Sequence, residues 1–392
     1  MIAIKNGKIV TPDEILEGSI LLLDQDRIYG FCDNLENADD VERVVNAHGR
    51  YIIPGIIDVH SDRLEQYIQP RPTSQMDFEF ALKVFERDLL SAGITTMYHS
   101  IALYKDEFFG ASSLRTKENV QKIADLIASI NLRNHLIRHR FHLRIEIDNL
   151  EAFDIARNLI EQEKVHLISF TDHTPGQGQY SSLAMYQDAI TKYNGKEIGE
   201  LGFDGVLEHH KNKQVLSLDE LIELAALAEE KGIPIASHDD DSEKKLALNK
   251  KIGINVSEFP ITLETAKSAK RHGFYTVVGA ANILRGCSHS GNMSAAEAVH
   301  EDCADILCSD YYPAAILHSI FLMHLNEGVA LPQMVNKAAL NPAKALRIDR
   351  NYGSIEAGKK ADILIVEVMD GYPVITHVFV DGNATSRIEY RR

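Results

Sequence analysis

His60, Asp62 and Glu65 fall within six residues at the end of an apolar run, in "IIDVHSDRLEQ". Imidazoles and carboxylates are the side chains that ligate divalent metals or move protons near neutral pH. Alternate side chains of an extended chain share a face, so His60 and Asp62 can reach one ion together. Similar groups recur where later apolar stretches end: His142 and Glu146, Asp172 and His173, His238 with Asp239 and Asp240, Glu258, and Asp310. One histidine beside a strand is more often packed or solvated than a ligand. Endings of this kind on six stretches point to one shared centre. Mixed imidazole and carboxylate donors suit Zn²⁺ or Mn²⁺, and two such ions close together need a bridging carboxylate.

A second group of residues suits anions. In "GAANILRGCSHSGNMSAAEA" (279–298), Gly286 and Gly291 loosen a loop that holds Arg285, His289 and Ser290. Ser294 with Glu297 three residues on is a capping-box signature for the next helix. Backbone N–H groups at such a turn can receive phosphate, and a tight turn is the plain alternative. The GK[ST] ending of a Walker loop is absent. Arg63 and Arg71, in "SDRLEQYIQPRPTS", offer guanidinium forks that match phosphate or phosphonate oxygens, or else solvated loop ion pairs. His135 and His139 have the i, i+4 spacing of a helical metal pair without the HExxH glutamate, and are read as bland.

The elements that must position these groups alternate strand-like and helix-like patterns. Eight candidate strands span 55–60, 94–99, 140–147, 166–172, 233–238, 254–259, 275–280 and 305–309, with amphipathic stretches such as "FALKVFERDLLSAG" and "SLDELIELAALAEEKG" between them. Gly232 is the expected stop of the last. Alternation of this kind builds a parallel sheet, and eight strands over about 290 residues fit a (β/α)₈ barrel, with a doubly wound open sheet as the alternative. Barrel strands end at the face that carries the chemistry, which is where the titratable groups stand. Both ends of the chain read instead as short strands around Asn-Gly and Asp-Gly turns, and are expected to form one small β-domain. The segment 177–215 is too long for an ordinary connection and is expected to carry helices of its own.

The bulk numbers remove several classes. Forty-one basic against 57 acidic residues give a formal net charge of −16, which argues against a general nucleic-acid surface. No apolar run approaches the roughly 20 residues that span a bilayer, and "MIAIKNGKIV" does not resemble a signal peptide, so a cytoplasmic address is expected. Cys32, Cys287, Cys303 and Cys308 have neither zinc-site nor disulfide-framework spacing. A homo-oligomer stays open.

"PGIIDVHSD", "AGITT", "NPAKAL" and "GSIEAGKKADILIV" resemble the amidohydrolase superfamily, metal-dependent hydrolases with a barrel and a small β-sandwich built from both termini. The blocks "DVHSDRLEQYIQPRP", "HRFHLRIEI", "TDHTPGQGQY", "IASHDDD", "SEFPITLETA" and "DILCSDYYPAA" are similar to its phosphonate-catabolism branch, over residues 1 to about 385. The resemblance implies a composite β-sandwich of 1–50 plus 347–392 around a barrel of 51–346. It also implies a diphosphatase that cleaves α-D-ribose 1-methylphosphonate 5-triphosphate to the 5-phosphate and pyrophosphate. The implied cofactor is a divalent metal, two ions of Zn, Mn or Fe, held by His60, Asp62, Glu146, His173, His238 and Asp310. Asp310 would also take the proton from the attacking water. Arg63, Arg71, Arg144, Arg285, His289 and Ser290 would bind the anionic substrate. Two departures stand out: HxD replaces the superfamily's usual HxH, and Cys308 stands where a serine is expected. The alternatives are a superfamily member acting on a carbon centre, a cyclic amidase or deaminase, and a non-catalytic scaffold on the same fold.

Overall fold

The computed structural model describes residues 1–36, 40–103, 113–172, 213–286 and 292–391, together with 187, 205 and 208. Eight parallel strands form one sheet in strict sequence order: Ile56–Ser61, Ile94–Leu103, Arg138–Glu146, Leu167–Thr171, Ile235–His238, Val256–Glu258, Tyr275–Gly279 and Ile306–Cys308. A parallel bridge between Ser61 and Asp310 joins the first strand to the second residue past the eighth, so the sheet closes into the expected barrel. These strands are buried on both faces, which explains their near-continuous apolar sequence.

Two cores follow from the alternation of side chains. Ile57, Val59, Tyr98, Leu167, Val256, Val277 and Ile306 fill the barrel, closed from below by Ala343, Leu346 and Tyr352. Residues of opposite parity, such as Met97, Ile101, Phe141, Leu143 and Ile145, meet the surrounding helices. Helix Phe78–Ser91 shows how: Phe78, Leu82, Phe85 and Leu89, spaced i, i+4, i+7 and i+11, are buried against the second strand. Each such side chain contributes roughly 1.5–3 kcal/mol. The helix begins where Asp77 accepts from the Phe80 N–H. Helix Leu218–Glu230 starts with a complete Ser217–Glu220 capping box, and Gly232 follows its end at φ 69°.

The chain ends meet as expected. One sheet runs in the order Arg27–Cys32, Ile20–Asp24, Ile2–Lys5, Arg43–Asn46. The other runs Asn383–Arg387, Tyr372–Val380, Ile363–Met369, Tyr51–Pro54, Lys8–Val10, Ile15–Glu17. Ile4, Ile9, Leu21, Leu23, Ile52, Ile363, Ile365 and Phe379 pack between them. Arg138, at the base of the third barrel strand, pairs with Asp362 and with Asp381 (3.0 Å), and its guanidinium lies 4.5 Å from the centre of the Tyr352 ring. It thus ties the barrel floor to the C-terminal strands. Among the described residues no helix is long and apolar enough to cross a membrane.

The first barrel strand is irregular. Asp58 pairs with Met97 and Ser61 with His99, so three steps on one strand face two on the next. One extra residue is inserted, a bulge of the kind found beside active sites. Val59 therefore packs in the barrel interior while the next residue, His60, also reaches the open end.

Candidate metal centre at the open end of the barrel

Above the barrel core lies a cavity of about 710 Å³ bordered by His60, Asp62, Arg144, His238, Asp239, Asn282, Arg285, Asp310 and Tyr311, among others. They come from the first, third, fifth and eighth strands or the turns that follow them, and from helix Ala280–Arg285 after the seventh. This is the face where barrel chemistry is found. Beneath it the ligand atoms of His60, His238 and Glu258, all buried, lie within 4.8 Å of one another.

Each side chain is held for a reason. Nδ1 of His238 donates to Asp239 at 2.6 Å, which fixes the orientation of the ring. Nδ1 of His60 lies 3.1 Å from Glu258 Oε1, and Phe259 packs edge-on against the His60 ring at 5.1 Å. Burial, reinforced by Arg144 and His238 and opposed by Asp239, holds His60 well below the ordinary histidine range. A neutral imidazole is the form that ligates metal. His142, deeper on the third strand, is committed elsewhere. Nδ1 donates to the Val59 carbonyl at 3.2 Å, so Nε2 accepts from the Ser169 hydroxyl at 3.0 Å.

The set fits a divalent cation. Glu258 Oε2 and Asp62 Oδ1 are buried with no hydrogen-bond partner among the described residues. Lone pairs left so are costly unless something positive faces them. Asp62 occupies the N-cap of helix Arg63–Ile68 and makes no side-chain capping bond; its side chain borders the cavity instead. Two imidazoles with carboxylates form a donor set for Zn²⁺, Mn²⁺ or Fe²⁺.

Asp310 sits beside this set at φ 59°, and Asp239 and Phe259 also lie in the left-handed region, at 53° and 54°. Strained residues at three strand ends of one mouth are what a site held by its surroundings shows. Burial, helped by Asp62 and opposed by Arg144, pushes the Asp310 carboxyl up to about 7. Arg144 reaches the cavity from the third strand, with its Nε buried and lacking a hydrogen-bond partner among the described residues.

Several other expected site residues stand outside the cavity lining. Glu146 is buried at the end of the third strand, outside the cavity lining and the His60–His238–Glu258 group. Arg63 donates to Gln66 and stacks over Tyr67, and exposed Arg71 forms a turn with Ser74; neither borders the cavity. Glu65 receives a two-pronged bond from Arg115 at 3.0 Å. His173, His289 and Ser290 lie outside the described residues. Ser294 accepts from the Glu297 N–H at 3.3 Å, the N-cap half of its expected box. His139 lies on a strand and exposed His135 precedes it, so their spacing never forms a helical pair. The sequence places Glu258 among the strand-end candidates but outside the expected ligand set, and singles out neither Asn282 nor Tyr311. Only closure of the sheet brings Glu258 to His60.

Residues 51–385 match the model of the amidohydrolase family. The chain is 32% identical over 387 residues, 97% of its length and 98% of the relative's, to the α-D-ribose 1-methylphosphonate 5-triphosphate diphosphatase of Escherichia coli (strain K12). To a probable imidazolonepropionase of Homo sapiens it is 24% identical over 386 residues, covering 90% of this chain and 84% of that one. Among solved structures, an N-acetylglucosamine-6-phosphate deacetylase from Pasteurella multocida superposes with a TM-score of 0.64 at 12% identity, over 98% and 99% of the two chains. That likeness shows the fold.

Proposed function

This chain belongs to the amidohydrolase family, and from that premise we propose that it hydrolyses α-D-ribose 1-methylphosphonate 5-triphosphate to the 5-phosphate and pyrophosphate, in cytoplasmic phosphonate catabolism by the carbon–phosphorus lyase route. The observation that carries this reading is Arg144. A guanidinium reaches the cavity beside Asp310 and the ligand set, where it matches the negative charge of a phosphoryl group. Arg285 adds a second cation at the exposed rim, which suits a substrate charged at both ends. The full-length similarity to the Escherichia coli diphosphatase supports the same choice.

His60, His238 and Glu258 would hold the divalent metal, with Asp62, Asp310, Glu146 and His173 as further ligands for a second ion. Metal bound there supplies Lewis acidity and lowers the pKa of water toward roughly 7. Asp310 orients the attacking water and accepts its proton. The new oxygen–phosphorus bond forms at the α-phosphorus, and the bond to the α–β bridging oxygen breaks as pyrophosphate leaves. Arg144 offsets charge on the transferring phosphoryl. Arg285, with His289 and Ser290, holds the remaining anionic groups. Arg63 and Arg71 would have to act from outside the cavity lining.

Phosphorus NMR of the metal-loaded protein with this triphosphate tests the reading. Pyrophosphate should appear and a chelator should stop it. Hydrolysis of a cyclic amide with no pyrophosphate from the triphosphate would contradict it.

A further inference from the structure

Asp58 is completely buried, two residues before His60 and on the face of the first strand that points away from the barrel interior, opposite Met97. Its Oδ1 accepts from the Ser309 N–H at 3.0 Å and lies 3.4 Å from the His60 N–H. One carboxylate oxygen therefore touches the backbone of both strands that meet at the barrel seam. It does so one residue before Asp310 on one strand and at His60 itself on the other.

The seam is closed by an isolated bridge, where the other neighbours in the sheet pair as ladders. The first strand carries its bulge between Asp58 and Ser61, and Asp310 is left-handed. Their registration rests on the Ser61–Asp310 bridge, with Asp310 N donating to the His60 carbonyl at 3.0 Å and Asp62 N to the Asp310 carbonyl at 3.2 Å. Irregular backbone persists only where its surroundings over-determine it. A side-chain acceptor shared by both strands supplies that constraint. We infer that Asp58 is a positioning residue, a clasp across the seam that sets His60 and Asp310 at their working separation. It touches neither metal nor substrate.

The inference rests on the reading that His60 and Asp310 serve one metal-dependent site, and not on the identity of the substrate. Two full-length variants test it. Asp58→Asn keeps an oxygen acceptor at Oδ1, whereas Asp58→Leu has the same branched skeleton and none. Mn²⁺ affinity by titration calorimetry and the visible absorption of the Co²⁺ form report the ligand geometry without turnover. Asp58→Leu should bind Mn²⁺ roughly 10–100-fold more weakly, the usual effect of losing a group that orients a ligand. It should lower kcat on the order of 100-fold with little change in KM, as a misplacement of about 1 Å does. Asp58→Asn should restore both and keep the wild-type Co²⁺ spectrum. Wild-type Mn²⁺ affinity in Asp58→Leu, or equal losses in the two variants, would overturn the clasp. If Asp58→Leu does not fold, the Asn variant decides: an unchanged Co²⁺ spectrum supports the hydrogen-bonding role, and an altered one overturns it. A protein that cleaves no triphosphate yet loses Mn²⁺ affinity in Asp58→Leu would retain the clasp and abandon the diphosphatase reading.

Discussion

Two buried histidine–carboxylate clusters of nearly the same composition lie on opposite sides of this barrel wall. Inside are His60, His238 and Glu258; outside, under helix Phe78–Ser91, are His99, His139 and Glu86. The outer three form a directed chain. Glu86 accepts from His139 Nε2 at 3.2 Å and from the Leu136 N–H at 2.9 Å, so His139 Nδ1 must accept from His99 Nε2, at 2.9 Å. Among the described residues only His99 Nδ1 in this chain is left without a partner. In the inner cluster the ligand atoms lie within 4.8 Å of one another, and Glu258 Oε2 and neighbouring Asp62 Oδ1 have no hydrogen-bond partner among the described residues. Residue type and burial are shared. What differs is where the lone pairs point, and that marks one cluster for a ligand and the other for the fold.

Asp310→Asn should separate the two sides of the wall most sharply. Loss of the proton acceptor should lower kcat by roughly 10²–10⁴-fold, the typical worth of a positioned general base. Thermal melting of the metal-free protein should not fall, because a buried carboxyl among like charges is removed. A near-normal kcat would remove the assignment.

Glu258→Gln addresses the ligands. Divalent metal should raise the melting temperature of the wild type by mass action and fail to do so in this variant at concentrations near the wild-type Kd. Glu86→Leu should behave in the opposite way. It strands the His139 and Leu136 donors and should cost about 1–3 kcal/mol in denaturant unfolding, equally with and without metal, while kcat is kept. A metal-dependent difference in the Glu86 variant would erase the distinction between the clusters.

Much of this was legible in the sequence because it depends on local periodicity. Eight apolar stretches locate the barrel strands to within a few residues, and the His, Asp or Glu endings on six of them put His60, Asp62, His238 and Asp310 at one mouth. Contacts made by closure were not legible. Glu258 gains its place only when the sixth strand comes round to face the first. Glu65 looks like a ligand by spacing, yet Arg115, fifty residues on, takes its carboxylate. Arg71 has the right chemistry for a phosphate and sits in an exposed turn.

The smallest expected effect is on pH dependence. Burial holds His99 well below the ordinary histidine range and lowers His139 too, so both are neutral in the fold. Below about pH 6.5 the unfolded chain takes up protons that the folded one does not, so stability falls as pH falls. For Glu86, burial alone would raise the pKa, but hydrogen bonds from His139 and Leu136 hold it below the usual range, so its contribution is also lost toward acid. His139→Gln should flatten the slope of unfolding free energy against pH between about 6.5 and 5. An unchanged slope would mean that the outer chain does not titrate with unfolding.

The central claim is hydrolysis at the α-phosphorus in the inner cluster, and heavy-oxygen water tests it most directly. After turnover of the ribosyl triphosphate by metal-loaded protein, phosphorus NMR should show the label in the sugar 5-phosphate and none in the pyrophosphate. Label in the pyrophosphate, or no cleavage of the triphosphate by metal-loaded protein, would contradict the account.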